Sequence, residues 1–157
     1  MAVIDCRGYA NNILNTCKGR AQFVLDERGY APSLAIVQVG NDKASNTYVR
    51  MKDLDCLKCG ITCHTEHMTS NAGAASIYHQ IGRLADRDAV MVQLPTPYGH
   101  SNDDMFISRI PWGKDADGIT VESLGSLVNA NKSIDYSEFI APCTVKAVMY
   151  VLRDNAS

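Results

Sequence analysis

Leu34-Ala-Ile-Val-Gln-Val39, closed by Gly40-Asn-Asp42, is a nearly continuous apolar run of strand length with a turn behind it. Two further runs repeat the pattern. One spans Ile61 to His67, and the other, Ala89-Val-Met-Val-Gln-Leu94, is stopped by Pro95 and Pro97. The spacing between them predicts a helix over 44–59, ended by Gly60 as a left-handed cap, and a second over 72–85. Strand starts near 34, 61 and 89 leave room for one crossover helix each, the arithmetic of a parallel sheet covered on both faces. The expected fold class is α/β, a three-layer sandwich with a short, mostly parallel sheet flanked by helices.

On the N-terminal side, Tyr9, Ile13, Leu14, Cys17, Ala21, Val24 and Leu25 recur at three- and four-residue steps and predict an amphipathic helix ending near Gly29. On the C-terminal side the pattern predicts a helix over 103–110, an irregular stretch from Pro111 to Gly118, a short helix over 122–129 and a final helix over 144–153. A chain of 157 residues, 46% apolar, is long enough for one core and too short for two full domains, so residues 1–157 read as a single domain.

Fifteen basic against seventeen acidic residues, net −2, exclude the electrostatic footprint of a nucleic-acid or anionic-membrane binder. With neither a secretory signal nor an apolar run of membrane-spanning length, the sequence reads as cytoplasmic. The six cysteines are then expected as thiols. Cys56, Cys59 and Cys63, followed by His64 and His67, invite a metal reading because zinc prefers such ligands. Against it, Cys56 and Cys59 lie late in a helical pattern, Cys63 falls in the next strand, and no second ligand pair has finger spacing. Core thiols and no metal are expected.

Ligands of open α/β sheets bind where loops diverge at the carboxyl ends of the strands. Here those ends are Gly40-Asn-Asp-Lys43, the segment after His67, and Gln93-Leu-Pro-Thr-Pro97. Tyr48 and Lys52, four apart on the second helix, share a face near its N-terminal half. They line a pocket together, or they are a core ring and a lysine that snorkels to solvent; spacing does not choose. Gln93 interrupts an apolar strand, where an amide needs partners, from a ligand or from a neighbouring loop. Asp115 and Asp117 flank Ala116 before Gly118, as in an ordinary Asp/Gly turn or a polar-ligand site. No Gly-x-Gly-x-x-Gly follows a strand, there is no phosphate loop, and His64, His67, His79 and His100 form no catalytic set.

Val3-Ile-Asp5, Pro32-Ser-Leu-Ala-Ile-Val-Gln-Val-Gly-Asn-Asp-Lys-Ala-Ser45, Tyr48-Val-Arg-Met-Lys52, Val92-Gln-Leu-Pro-Thr-Pro97, Lys114-Asp-Ala-Asp-Gly118 and Pro142-Cys-Thr144 occur in that order. Together they resemble the N-terminal catalytic domain of the bifunctional methylenetetrahydrofolate dehydrogenase/cyclohydrolase family, essentially end to end. The resemblance implies that Lys52 is the catalytic lysine and that Gln93 positions it. It implies that Tyr48 stacks on the folate, that Asp117 holds the amino-pyrimidine edge of the pterin, and that Leu94 and Pro95 border the substrate. Val145 departs from the family's usual proline, and Ile119-Thr120 from an aromatic and a histidine.

The family continues from the helix after Pro142-Cys-Thr144 into a Rossmann-type nicotinamide-binding domain, for which this sequence has no counterpart. The expected activity is therefore hydrolysis of 5,10-methenyltetrahydrofolate to 10-formyltetrahydrofolate. No cofactor is expected: folate enters as substrate, and NADP only if the missing domain is supplied. The alternatives are a non-catalytic folate binder or partner subunit, and a truncated piece of a bifunctional NADP-dependent enzyme. Expected partners are a small-molecule folate and, for a chain without the second domain, a second copy or a full-length family member.

Overall fold

The computed structural model describes residues 4–129 and 140–155, which form three strands and six α-helices. They run α1 (Cys6–Arg28), β1 (Ser33–Val39), α2 (Lys43–Cys59), β2 (Thr62–Met68), α3 (Ala74–Arg83), a 3-10 turn (Leu84–Asp86), β3 (Ala89–Gln93), α4 (His100–Ile107), α5 (Val121–Asn129) and α6 (Cys143–Asn155). The sheet has the order β2-β1-β3 and both pairings are parallel. β1 is therefore central, which explains its unbroken apolar character: it is covered on both faces.

The two faces follow from the two-residue period of the strands. Ala35, Val37 and Val39 of β1 and Val90 and Val92 of β3 face Ile77 and Ile81 of α3, Leu84, and Phe106 of α4. Ile36 and Met91 face the other way and pack on Val49 of α2, with Leu34, Cys63 and Ala116 alongside. The three-layer α/β sandwich expected from spacing is thus the observed fold. Gly60 ends α2 with φ +76, the left-handed cap the sequence predicts.

Three expectations change in detail. α4 begins at His100 rather than near 103, because Asp103 and Thr96 bond each other across its first turn and draw the start forward. α1 buries only Ala21; Tyr9, Leu14, Cys17 and Val24 are half-buried, while Ile13 and Leu25 are exposed. The reason is that α1 packs on the outside of α2, where Cys59 Sγ meets the Leu14 carbonyl at 3.6 Å, and a helix-on-helix contact needs a narrower stripe than a sheet does. The stretch after Pro111 is not wholly irregular: Asp115 forms a parallel bridge with Val90 at the edge of β3. Trp112, the chain's one tryptophan, projects from this stretch and is 80% exposed.

Cys56 and Cys59 are buried and Cys63 half-buried, and burial pushes all three thiols up from their ordinary value. Among the described residues no three His, Cys, Asp or Glu side chains are grouped to hold a metal, and no helix is long and apolar enough to cross a membrane. Ile81 has no exposed surface and packs between the sheet and α4. Ile81→Ala is expected to destabilise the fold by about 3 kcal/mol. Urea unfolding followed by circular dichroism checks this: a lower midpoint with an unchanged slope is expected, and an unchanged midpoint contradicts the packing described.

Candidate active site

All three strands point the same way, so Val39, Met68 and Gln93 end at one edge of the sheet and their loops open there. Gly40 N–H donates to the Met68 carbonyl at 2.9 Å, and His67 Nε2 lies 2.6 Å from the Gly40 carbonyl, which joins the loops after β1 and β2. α2 starts just beyond, capped by Asp42, whose carboxylate accepts from Ser45 N–H at 2.8 Å.

The buried side of α2 is Ser45, Val49, Cys56 and Cys59. Their spacing of four, seven and three residues leaves one gap at a helical repeat, and Lys52 fills it. An amine thus occupies a position in the stripe that faces the sheet, where a polar group needs a partner. The partner is Gln93, at the end of β3: Lys52 Nζ donates to Gln93 Oε1 at 2.9 Å. Gln93 is itself buried, and its Nε2 donates to the Leu94 carbonyl at 2.8 Å. That second bond orients the amide so that oxygen, not nitrogen, meets the lysine.

Asp117 closes the cluster. Burial pushes its carboxyl up from the ordinary carboxylate range; the Lys52 ammonium nearby opposes this and the Asp115 carboxylate adds to it. Its main-chain carbonyl accepts from Cys143 N–H at 3.3 Å, bringing the start of α6 to the same place. Burial also pushes up the Cys143 thiol, which senses both Asp117 and Lys52.

Of the residues singled out in the sequence, Lys52, Gln93 and Asp117 are brought together. Tyr48 lies one turn away on the same side of α2 and is 59% exposed. Pro95 is exposed in the following loop, and Leu94 turns its side chain into the α3/α4 core, so its carbonyl is what it offers on the Lys52 side.

Gln38 and Asp115 carry more in the structure than the sequence reading gave them. Gln38 is the register partner of Gln93 across β1 and β3, is only 4% exposed, and donates to Asn46 Oδ1. The signal was present, since an amide inside the apolar run of β1 raises the same question as Gln93 does in β3. Asp115, read with Asp117 as an ordinary Asp/Gly turn or a polar-ligand site, is buried and accepts hydrogen bonds from Gly118, Thr120 and Ser123.

Comparison with known proteins identifies the neighbourhood. Residues 4–117 match the model of the tetrahydrofolate dehydrogenase/cyclohydrolase catalytic domain. A bifunctional protein FolD of Ruegeria pomeroyi is 31% identical over 156 residues, covering 98% of this chain and 50% of that protein. The crystal structure of the bifunctional methylenetetrahydrofolate dehydrogenase/cyclohydrolase of Campylobacter jejuni superposes with a TM-score of 0.84 at 29% identity, covering 97% of this chain and 52% of that one. A 5,10-methylenetetrahydrofolate dehydrogenase of the silkworm Bombyx mori gives 0.87 at 28% identity, covering 99% and 53%. The chain spans about half the length of the curated relatives it matches.

The raised Asp117 carboxyl has a consequence for stability. The folded state holds this proton more tightly than the unfolded chain, so stability falls as pH rises from the ordinary carboxylate value of 3.8 through the higher folded value. Asp117→Asn removes that cost. It is expected to raise the thermal midpoint at neutral pH and to leave it unchanged at roughly pH 3, where both states are protonated. Calorimetry at the two pH values checks this, and an equal or lower midpoint at neutral pH contradicts the assignment.

Proposed function

The chain belongs to the tetrahydrofolate dehydrogenase/cyclohydrolase family, and on that premise we propose that it binds a reduced one-carbon folate and hydrolyses 5,10-methenyltetrahydrofolate to 10-formyltetrahydrofolate at Lys52. The observation that carries this reading is the lysine built into the buried stripe of α2 and held at 2.9 Å by Gln93, at the open edge of the sheet.

In the hydrolysis, water adds to the methenyl carbon of the cationic amidinium and gives up a proton. The tetrahedral carbon then breaks its bond to N5, which takes a proton, while the new hydroxyl loses its own and becomes the formyl carbonyl; one proton is released overall. Lys52 is the group that takes the first proton and returns it to N5. Gln93 holds the amine in one orientation without adding charge, and its own orientation is set by the Leu94 carbonyl. Asp117 accepts hydrogen bonds from the amino-pyrimidine edge of the pterin. Tyr48 offers a flat exposed ring on which the folate stacks, with the Leu94–Pro95 loop bordering the other side.

The half-length match favours a second reading, in which this chain is half of a bifunctional enzyme whose NADP is held by residues outside it. Among the described residues, β1 leads into Gly40-Asn-Asp42, β2 into Thr69-Ser-Asn-Ala-Gly73 and β3 into Leu94-Pro-Thr-Pro97, and none is the glycine-rich turn that cradles a pyrophosphate. These residues do not fit the cofactor, and no hydride step is assigned to them.

Loss of methenyltetrahydrofolate absorbance, followed with and without NADP, tests both readings. The hydrolytic reading expects a rate above the uncatalysed one without NADP, and a fall of at least about a hundredfold in Lys52→Met. Folate binding without any rate points to the binding-subunit alternative. A rate that is unchanged in Lys52→Met sinks the role of the lysine.

A further inference from the structure

We propose that Asp115 is a positioning residue: its carboxylate gathers the turn that follows it and so sets where Asp117 stands relative to Lys52. The proposal deepens the folate reading above and rests on it for its functional arm.

Asp115 is 2% exposed, and its carboxylate is taken up by the turn that follows it. Its Oδ1 accepts from Gly118 N–H at 2.9 Å, and its Oδ2 accepts from Thr120 N–H and Ser123 Oγ, each at 2.8 Å. Thr120 Oγ1 donates to Ser123 Oγ at 2.9 Å and accepts from Ser123 N–H at 3.2 Å, so the same group starts α5. On the other side the main chain is tied to β3: Val90 N–H donates to the Lys114 carbonyl at 2.7 Å, and Ala116 N–H donates to the Val90 carbonyl at 3.1 Å. Lys114 Nζ donates to the carbonyls of Ala85 and Arg87, both at 2.6 Å, and clamps the approach.

Asp117 therefore sits between two anchored points, the β3 bridge and the Asp115-bound turn. A third comes from α6, whose Cys143 N–H donates to the Asp117 carbonyl. Gly118 leaves no slack: a Cβ there would lie 2.5 Å from the Ala141 carbonyl carbon, and its φ is +69. Three donors and no acceptor converge on Asp115, which suits a carboxylate and not an amide. Burial pushes its carboxyl up, but the donors of Thr120, Ser123 and Gly118 outweigh that and hold it below the ordinary range, so the group is charged.

Titration of Asp117 reports on this arrangement through the charged and titratable groups near it among the described residues. They are Lys52 from α2, Asp115 from its own turn, and Cys143 with its neighbour Lys146 from α6. Asp115→Asn turns an N–H₂ toward a backbone N–H and removes a like charge. Asp117, followed by carboxyl NMR in the ligand-free protein, is then expected to titrate at lower pH than in the wild type. Binding of 5-formyltetrahydrofolate is expected to weaken about tenfold. Ser123→Ala keeps the charge and both backbone donors; it is expected to weaken binding about threefold and leave the Asp117 titration in place.

A folded Asp115→Asn protein with wild-type affinity overturns the proposal. So does one whose affinity drops equally at every pH while Asp117 titrates as before, because that is what a merely structural role produces. If Asp115→Asn does not fold, unchanged binding and unchanged Asp117 and Gly118 amide signals in Ser123→Ala overturn it. If the wild type binds no reduced folate, the folate reading fails, and the Asp117 and Gly118 amide signals of ligand-free Asp115→Asn and Ser123→Ala still decide the role of Asp115.

Discussion

A parallel neighbour on each side of β1 is the constraint from which the rest follows. No hairpin can join parallel strands, so each connection must cross a face of the sheet through a helix. The step from β1 to β2 runs one way across the sheet, and the step from β2 to β3 runs back past β1. Right-handed crossovers moving in opposite directions lie on opposite faces, which puts α2 on one side and α3 on the other. Between β1 and β3 the chain therefore leaves the sheet toward both sides, and a crevice opens at their carboxyl ends. Gln38 and Gln93, register partners and both buried, stand at that end of the two strands.

Lys52 shows what this geometry accommodates. An aliphatic side chain at that point in the α2 stripe would serve packing better, since an ammonium drawn from water gains stability only through its partners. Gln93 supplies one, and Asp117 stands near enough to be felt. Asp117 is in turn less comfortable ionised than an ordinary carboxylate. The cluster thus collects groups that folding alone would not choose, as binding and reaction centres commonly do. Asp115 is the opposite case, a buried carboxylate with every donor it needs.

Much of the fold was legible because strand-length apolar runs and the breaks between them are local properties. β1, β2 and β3 appear within a residue of their expected limits, and Gly60 caps α2 as its position suggests. What sequence could not convey was which face meets what. α1 carries apolar residues enough for a broad stripe, yet Ile13 and Leu25 stay exposed because its partner is a helix and not the sheet. The start of α4 depends on a bond between Thr96 and Asp103, seven residues apart, which no periodicity reveals. For the site, Tyr48 and Lys52 alone did not distinguish a pocket from a snorkelling lysine, and no spacing announces that Lys52 meets Gln93, 41 residues away in the chain. The bonding of Asp115 was not legible because it draws on backbone donors of Gly118 and Thr120, which any sequence possesses.

Trp112, exposed in the stretch between α4 and the Lys114 clamp, has an optical consequence. An indole already in water has no buried environment to lose, so its emission is nearly blind to unfolding of the core. It stands instead three residues from Asp115 and five from Asp117 along the chain. The chain's single tryptophan, excited to the red of its tyrosines, is thereby a local probe of the turn that carries the candidate site, separable from the far-ultraviolet signal that follows the helices.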